Sequence, residues 1–305
     1  FVVEGKDFSV TVGKSSGAME SFVFSDIPLM GTDRGYLHPN FWRAPTDNDQ
    51  GNKMPRRLGV WKDAGPDREV QSVIAEVLNE KVVRITAECT LPVGDGTTYT
   101  TVYTVYGSAD VVVESTIEPH GDDLPNLPRF GMQMRMPKEF FKMTWLGRGP
   151  HESYWDRKTG AAVGLYSGPV EEQIHLYVRP QETGNKTDVR WMALTNEDGL
   201  GLMAIGLPKL NVSAWPCTMQ DLDSADHIHE LTRRDFITVN LDYKQMGVGG
   251  DDSWGARVHP EYTLPAQRYS YKFRLRPHSM ITGDMKPIAR TVLPPIIEDE
   301  QVEEE

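Results

Sequence analysis

The chain has 305 residues, a formal net charge of -12 at pH 7 and 39% hydrophobic residues. This is enough apolar material for a packed core, in one large all-β domain or two average domains. An acidic chain without a basic cluster binds nucleic acid and anionic membranes poorly, and no apolar run approaches the ~18 residues that a membrane-spanning helix needs.

The dominant hydrophobic period along the chain is two, which is typical of half-buried β-strands. In residues 81–89, for example, Val83, Ile85 and Ala87 alternate with polar side chains. Strands with similar patterns are predicted at residues 111–117, 130–136, 188–195, 236–243 and 271–276. Gly and Pro clusters predict turns at residues 91–96, 119–128 and 147–150, and only residues 56–63 suggest a short helix. The pattern predicts an all-β fold, a large antiparallel sandwich.

The composition changes after residue 277. Three prolines are followed by the acidic residues 298–305, which carry six of the negative charges. We therefore expect a β-sandwich domain over residues 1–277 and a loosely ordered tail over residues 278–305. Cys89 and Cys217 are far apart, which favours reduced thiols in the core over a disulfide.

The segment 40–51 reads Asn-Phe-Trp-Arg-Ala-Pro-Thr-Asp-Asn-Asp-Gln-Gly. Asp47, Asn48 and Asp49 offer hard oxygen ligands, but the glycine comes one residue too soon for a calcium loop. The sequence is better explained by a turn in which these side chains bond their own backbone. We expect Arg43 to pair with one of the carboxylates for structural reasons, and we predict no metal site.

The segment 145–154 reads Trp-Leu-Gly-Arg-Gly-Pro-His-Glu-Ser-Tyr. The neighbours His151 and Glu152 suggest acid–base chemistry, but adjacent residues of a strand point to opposite faces. We expect this segment to build a turn and an interface with other domains. His227 and His229 would share one face of a strand, but a metal site there lacks a third ligand at a recognisable spacing.

The segment 246–255 places a tryptophan and two carboxylates in a glycine-rich loop, Met-Gly-Val-Gly-Gly-Asp-Asp-Ser-Trp-Gly. Gly249 and Gly250 would permit a positive φ that brings Trp254 forward. An exposed indole offers a flat apolar face to the C–H side of a sugar ring, and carboxylates accept hydrogen bonds from its hydroxyl groups. The two Asp residues are expected to shape the loop rather than to catalyse. The alternative is a tryptophan folded back onto the core.

These three motifs, collinear from about residue 8 to residue 276, resemble the C-terminal small-chain domain (domain 5) of β-galactosidases of glycoside hydrolase family 2. The resemblance implies a supersandwich of the galactose-mutarotase type, in agreement with the predicted antiparallel sandwich. It also implies that the two catalytic glutamates lie on a separate (β/α)8 barrel, so that this chain has no catalytic residue and is inactive alone.

By this resemblance, Trp254 reaches the active site of the complete enzyme and stacks on the sugar. Residues 52–56 are expected to form a mobile loop beside the sugar pocket. The substrate-binding candidates that follow from the motifs are Trp254, Asp252, Asp47, Asn48 and Gly51.

The resemblance implies no cofactor in this chain, although complete enzymes of the family use Mg²⁺ and Na⁺ on other domains. The expected partners are the catalytic barrel, in the same chain or as a large subunit, a β-galactoside substrate and further copies of the complete enzyme. Nucleic acid and membrane are not expected partners. We expect a cytoplasmic enzyme, with the periplasm as the alternative, and a first residue other than Met favours excision from a longer chain.

Two other functions stay open. Aldose 1-epimerases resemble this fold and open a sugar ring with a His acid and a Glu base. The candidates for these roles are His151 or His175 with Glu152, Glu171 or Glu230. A free-standing carbohydrate-binding module would instead use an aromatic platform, formed by Trp42, Trp155 and Trp254.

Overall fold

The computed structural model describes residues 1–31, 35–252 and 254–296. Its strands are β1 (Val2–Glu4), β2 (Phe8–Val12), β3 (Met19–Phe24), β4 (Ile27–Met30), β5 (His38–Asn40), β6 (Glu69–Asn79), β7 (Val82–Leu91), β8 (Thr97–Tyr106), β9 (Val111–Glu118), β10 (Arg129–Pro137), β11 (Lys142–Gly149), β12 (Ala162–Pro169), β13 (Lys186–Thr195), β14 (Gly201–Trp215), β15 (Phe236–Gln245) and β16 (Tyr269–His278). The helices are short: α1 (Asp47–Gly51), α2 (Met54–Arg57), α3 (Met219–Ser224) and α4 (Met285–Arg290).

The strands form a four-stranded sheet, in the order β1-β2-β3-β4, and a twelve-stranded sheet. The main path of the larger sheet is β12-β11-β13-β14-β16-β9-β8-β7-β6. A branch begins at β14, whose first half pairs with β16 and whose second half pairs with β15, followed by β10 and β5. A sheet of this width curls on itself. Every strand pairing between the described elements is antiparallel, so the predicted all-β fold is confirmed.

One hydrophobic core joins both sheets. It contains Phe22 of the small sheet together with Phe130 of β10 and Tyr271 of β16, all buried. The rings of Phe41 and Phe130 are parallel with centroids 6.2 Å apart, and Phe130 meets Tyr271 edge to face at 5.1 Å. This aromatic packing lies directly next to the chain that leads from β5 into α1, and it gives that segment a rigid base.

The six strands predicted from alternation are all present, as β7, β9, β10, β13, β15 and β16. The predicted turn at 147–150 is wrong in its first part, because β11 continues to Gly149. A Cβ atom on Gly147 would lie 2.9 Å from the Cα atom of Val189 in the neighbouring strand. Glycine is therefore required there for close packing of two strands, and it does not end the strand.

The helix predicted at 56–63 is observed as α2 and a 3-10 turn over Gly59–Trp61. Residues 52–56, expected to form a loop, thus include the start of α2, and Arg57 Nε donates to the Asn52 carbonyl at 2.9 Å. The strand expected around His227 is also wrong. Ile228–Glu230 form a 3-10 turn, and Glu230 bonds back to the backbone N–H groups of Asp226 and His227.

Cys89 and Cys217 are free and buried, as predicted, and burial raises the pKa of both thiols. Beyond β16, side chains of α4 pack on a small cluster around Trp191, and Arg274 donates to the carbonyls of Ile288 and Thr291 at 2.6 and 2.9 Å. The acidic residues 298–305 lie outside the described residues, so the expected division after residue 277 stays a prediction.

Candidate functional site

Arg43 is the centre of the segment that leads into α1. Its side chain is fully buried, and Nε and Nη2 donate to the two carboxylate oxygens of Asp49, both at 2.9 Å. Asp49 also accepts from the backbone N–H of Thr46, whose hydroxyl accepts from the backbone N–H of Asp49. This reciprocal pair is a capping box that starts α1. The expected pairing of Arg43 with a carboxylate is confirmed, and the predicted turn is the start of a short helix.

The same segment holds the glycine-rich loop. Arg43 donates to the carbonyls of Met246 at 2.6 Å and of Gly247 at 2.9 Å. Asn48 Nδ2 donates to the carbonyl of Val248 at 3.1 Å. Three consecutive carbonyls of the loop are therefore bound to a segment about two hundred residues earlier in the chain, and the loop leaves the sheet in a fixed direction.

Asp156 fixes the loop from a third direction. Its Oδ2 accepts from the backbone N–H of Gly249 at 2.8 Å. A Cβ atom on Gly247 would lie only 2.4 Å from the same oxygen, which explains why glycine stands at this position. Asp156 lies two residues beyond the 145–154 motif, so the loop is held both by the segment 43–48 and by the residues that directly follow the second motif.

Trp254 lies at the tip of this loop with 89% of its surface exposed. The alternative in which it folds back onto the core is therefore wrong. Asp252 Oδ1 accepts from the backbone N–H groups of Trp254 and Ala256 at 2.8 and 3.2 Å, and these bonds lower the pKa of Asp252. Asp251 pairs with His259 at 2.7 Å and raises the pKa of that imidazole. Both carboxylates shape the loop, as expected.

The glycine that turns the loop backbone is Gly255, with a φ of 143°, while Gly249 and Gly250 do not have positive φ values. A Cβ atom on Gly255 would lie 3.2 Å from the carbonyl oxygen of Gly51, the last residue of α1. The expectation for Gly249 and Gly250 is thus wrong. The strained conformation is needed where the returning loop passes the end of α1.

A polar cavity of about 280 Å³ lies beside the start of α1. Its lining residues are Thr46, Asp47, Asn48, Tyr154, Arg157, Tyr177, Gln181, Glu182 and Val248. Asp47 and Gln181 bond each other twice: the Gln181 amide donates to Asp47 Oδ2 at 3.0 Å, and Asp47 N–H donates to Gln181 Oε1 at 3.1 Å. Two of the predicted site residues, Asp47 and Asn48, therefore share one cavity, whereas Trp254, Asp252 and Gly51 belong to the loop and its contact with α1.

Below this cavity lies a buried ion cluster that sequence reasoning missed. Arg129 contacts Glu182 at 2.8 Å and Asp242 at 3.5 Å, and all three side chains are fully buried. Burial raises the pKa of Asp242 to about 7, against the effect of Arg129. Gln245 donates to Glu182 at 3.1 Å and so connects the cluster to the start of the loop. Both carboxylates neutralise a buried guanidinium group. Their role is therefore structural, and neither is free to attack a sugar.

Of the five residues that are candidates for epimerase acid–base chemistry, three lie around one cavity. His151, Glu152 and His175 line a second cavity. Both oxygens of Glu152 are already engaged: one accepts from Tyr177 and Arg157, and the other accepts from the backbone N–H of Gly184 at 2.8 Å. A carboxylate with its acceptor sites occupied in this way is a poor general base.

The other epimerase candidates lie outside this cavity. Glu171 pairs with Arg233 and Glu230 pairs with His227, in both cases on the surface. The aromatic platform of a binding module is not formed either, because Trp42 is 2% exposed and belongs to the core. In the described parts of the chain, no three His, Cys, Asp or Glu side chains are placed to hold a metal ion. None of the described helices has the length and apolar character to cross a membrane.

The sequence comparisons with a family model and with known proteins agree with one another. A family model described as "Beta galactosidase small chain" matches residues 4–275. The β-galactosidase of Priestia megaterium (strain DSM 319 / IMG 1521) is 42% identical over 276 residues, which are 90% of this chain and 26% of that relative. The β-galactosidase of Lactobacillus delbrueckii subsp. bulgaricus is 38% identical over 271 residues, 87% of this chain and 26% of that relative. The chain thus spans about a quarter of the length of these relatives.

Among solved structures, the galactose 1-epimerase from Lactobacillus acidophilus NCFM aligns with a TM-score of 0.50 and 10% sequence identity. The alignment covers 91% of this chain and 93% of that protein. At this identity the similarity shows the fold alone. The predicted likeness to the galactose-mutarotase fold is confirmed.

Proposed function

The chain belongs to the β-galactosidase small-chain family, and from that membership we propose that it forms one side of the sugar site of a β-galactosidase whose catalytic carboxylates lie on another part of the enzyme. The observation that carries this proposal is the exposed indole of Trp254 on a loop anchored by buried groups. A large aromatic side chain exposed on a loop whose first residues are anchored suits contact with a ligand or partner.

Each predicted site residue has a role in this proposal, and that of Asn48 is to hold the loop through its bond to the Val248 carbonyl. Trp254 stacks on the apolar face of the galactoside, and Asp252 sets the backbone from which the indole projects. Gly51 ends α1 where Gly255 passes over it. Asp47 is two-thirds exposed at the mouth of the polar cavity, so it has acceptor capacity for a sugar hydroxyl.

The complete enzyme has further expected properties that belong to the same proposal. The catalytic partner is a barrel that carries the two glutamates of a retaining glycosidase of family 2. Mg²⁺ and Na⁺, where used, bind to other domains. The complete enzyme acts on β-galactosides, assembles as a homo-oligomer and works in the cytoplasm.

Hydrolysis of a chromogenic β-galactoside by the purified chain alone tests the absence of its own catalytic centre. We expect no turnover above the buffer blank, because Glu182 and Asp242 are buried ion-pair partners and Glu152 is fully hydrogen-bonded. Turnover that elutes with the folded chain, and that falls in Glu152→Gln, would contradict the proposal.

A further inference from the structure

We propose that residues 279–296 form a pH-sensitive strap over the outer face of the large sheet, and that His278 is the latch that holds the start of this strap. The strap consists of a 3-10 turn at Met280–Thr282, the helix α4 and the residues up to Ile296. It lies beyond residue 275, where the match to the small-chain family ends. The inference therefore goes beyond the proposed function and does not depend on it.

The strap crosses the sheet from strand to strand. Side chains of α4 pack on Trp191 of β13, and Arg274 of β16 donates to two carbonyls at the end of α4. Leu293 and Ile296 then pack on a cluster that contains Tyr106 of β8. The strand registers put Trp191, Arg274 and Tyr106 on one face of the sheet, while the alternate residues of these strands face the core. The strap thus covers the outer face.

His278, the last residue of β16, joins the start of the strap to the sheet. Its ring is buried, with Nδ1 2.9 Å from the carbonyl oxygen of Gly199 and Nε2 3.0 Å from the carbonyl oxygen of Gly283. Gly199 lies in the turn between β13 and β14, and Gly283 belongs to the strap. A carbonyl oxygen only accepts hydrogen bonds, and a neutral imidazole has one N–H group whereas the protonated ring has two. Only the protonated ring can therefore make both bonds.

The charged groups around the ring do not supply another partner for it. The charged side chains of the surrounding elements are Glu197 and Asp198 in the turn, Arg274 and Arg276 of β16 with Asp110 beside them, and Asp284 and Lys286 in the strap. Within the described ranges, none of these side chains forms an ion pair with His278. The two carbonyls are therefore the groups that favour the protonated ring over the neutral one.

The packing between strap and sheet is incomplete at this end. A cavity of about 430 Å³ is lined by Leu165 and Trp191 of the sheet, by Met280 and Met285 of the strap, and by His278. Because apolar contact is lost there, the attachment depends on the hydrogen bonds of the ring. The docked strap requires the proton, so docking is favoured at a pH below about 6.5, where imidazole groups usually titrate, and weakens above it.

Cysteine labelling measures the release of the strap. In Ala289→Cys the thiol would lie in α4 against the cluster around Trp191, so that a methanethiosulfonate reagent reaches it when the strap leaves the sheet. Each rate is divided by the rate for a peptide of residues 279–296 with the same cysteine, which removes the effect of pH on the thiol. We expect the relative rate to be about tenfold higher at pH 8 than at pH 6, the effect of one hydrogen bond from a charged group.

His278→Gln in the same background removes the ring that titrates. Its relative labelling rate should be as high at pH 6 as that of the protein with His278 at pH 8, and it should not change with pH. His227→Gln is the matched control, because this exposed ring bonds Glu230 on a surface turn. It should keep the full pH dependence.

Two results would overturn the inference: a relative labelling rate that is the same at pH 6 and pH 8 in the protein with His278, or a pH dependence that persists in His278→Gln. The first comparison needs no variant at position 278, so it stands even if His278→Gln does not fold. Neither result would remove the proposed role in a β-galactosidase, which is tested by catalysis together with the barrel.

Discussion

Replacing Arg43 with Met should destabilise the fold by about 3–5 kcal/mol, the range for breaking a buried ion pair by removal of one partner. The carboxylate of Asp49 would remain buried without its bidentate guanidinium partner. The carbonyls of Met246 and Gly247 would also lose their donors. Urea unfolding followed by tryptophan fluorescence measures the change as a lower midpoint with a similar denaturant slope.

Lys138→Met is the matched control for this variant. Lys138 pairs with Asp235 at 2.7 Å, a shorter distance than in the buried pair, but both side chains are largely exposed. Ion pairs in water add little to stability, so we expect no measurable shift of the midpoint. If Arg43→Met unfolds at the same urea concentration as Lys138→Met, the buried network of Arg43 does not stabilise the fold.

The second large effect is expected for Trp254→Ala in a complete enzyme. A chimera in which this chain replaces the matching region of the Priestia megaterium β-galactosidase provides that enzyme. We expect KM for a β-galactoside to rise by roughly tenfold, since stacking and apolar contact are lost. The melting temperature of the isolated variant should be unchanged, because Trp254 is 89% exposed. Steady-state kinetics and a thermal melt measure the two quantities.

Trp254→Phe separates stacking from other effects, since a phenyl ring keeps a flat apolar face of smaller area. Its KM should fall between those of the wild type and Trp254→Ala. A chimera whose KM is the same with Trp, Phe and Ala at this position would remove Trp254 from the sugar site. The loop would then have another purpose, such as contact with the barrel.

The strands could be predicted because each of the six shows an alternating or β-branched pattern, although not all of them are half-buried: the first seven residues of β15 are all buried. In β9, for example, every second residue from Val111 is buried. The end of β11 could not be predicted in the same way. Gly147 and Gly149 look like turn residues in the sequence, and the reason for them is the close approach of a neighbouring strand and of the Tyr166 ring. That reason exists only in three dimensions.

Part of the site could be predicted from local chemistry. The Asp-Asn-Asp segment favours the start of a helix or a turn, because these side chains bond nearby backbone N–H groups. A nearby arginine could also be expected to pair with a buried carboxylate. The loop-shaping role of Asp252 follows from the same rule, because Asp side chains commonly bond backbone N–H groups two to four residues later.

The cavity could not be predicted. Tyr154, Gln181 and Glu182 come from irregular segments without a periodic pattern, and only the folded structure places them beside Asp47. Glu152 gave a misleading signal, because its neighbour His151 suggested acid–base chemistry. Its actual partners, Tyr177 and the Gly184 N–H, lie in a connection with no regular secondary structure. Contacts between residues that are far apart in the sequence cannot be predicted from local patterns.

The central claim is that this chain completes a β-galactosidase whose catalysis takes place elsewhere. The most direct test compares turnover of a chromogenic β-galactoside by the chimera with turnover by the same relative lacking the matching region. We expect the truncated protein to be nearly inactive and the chimera to recover turnover well above it. A folded chimera no more active than the truncated protein, or a truncated protein with full activity, would contradict the claim.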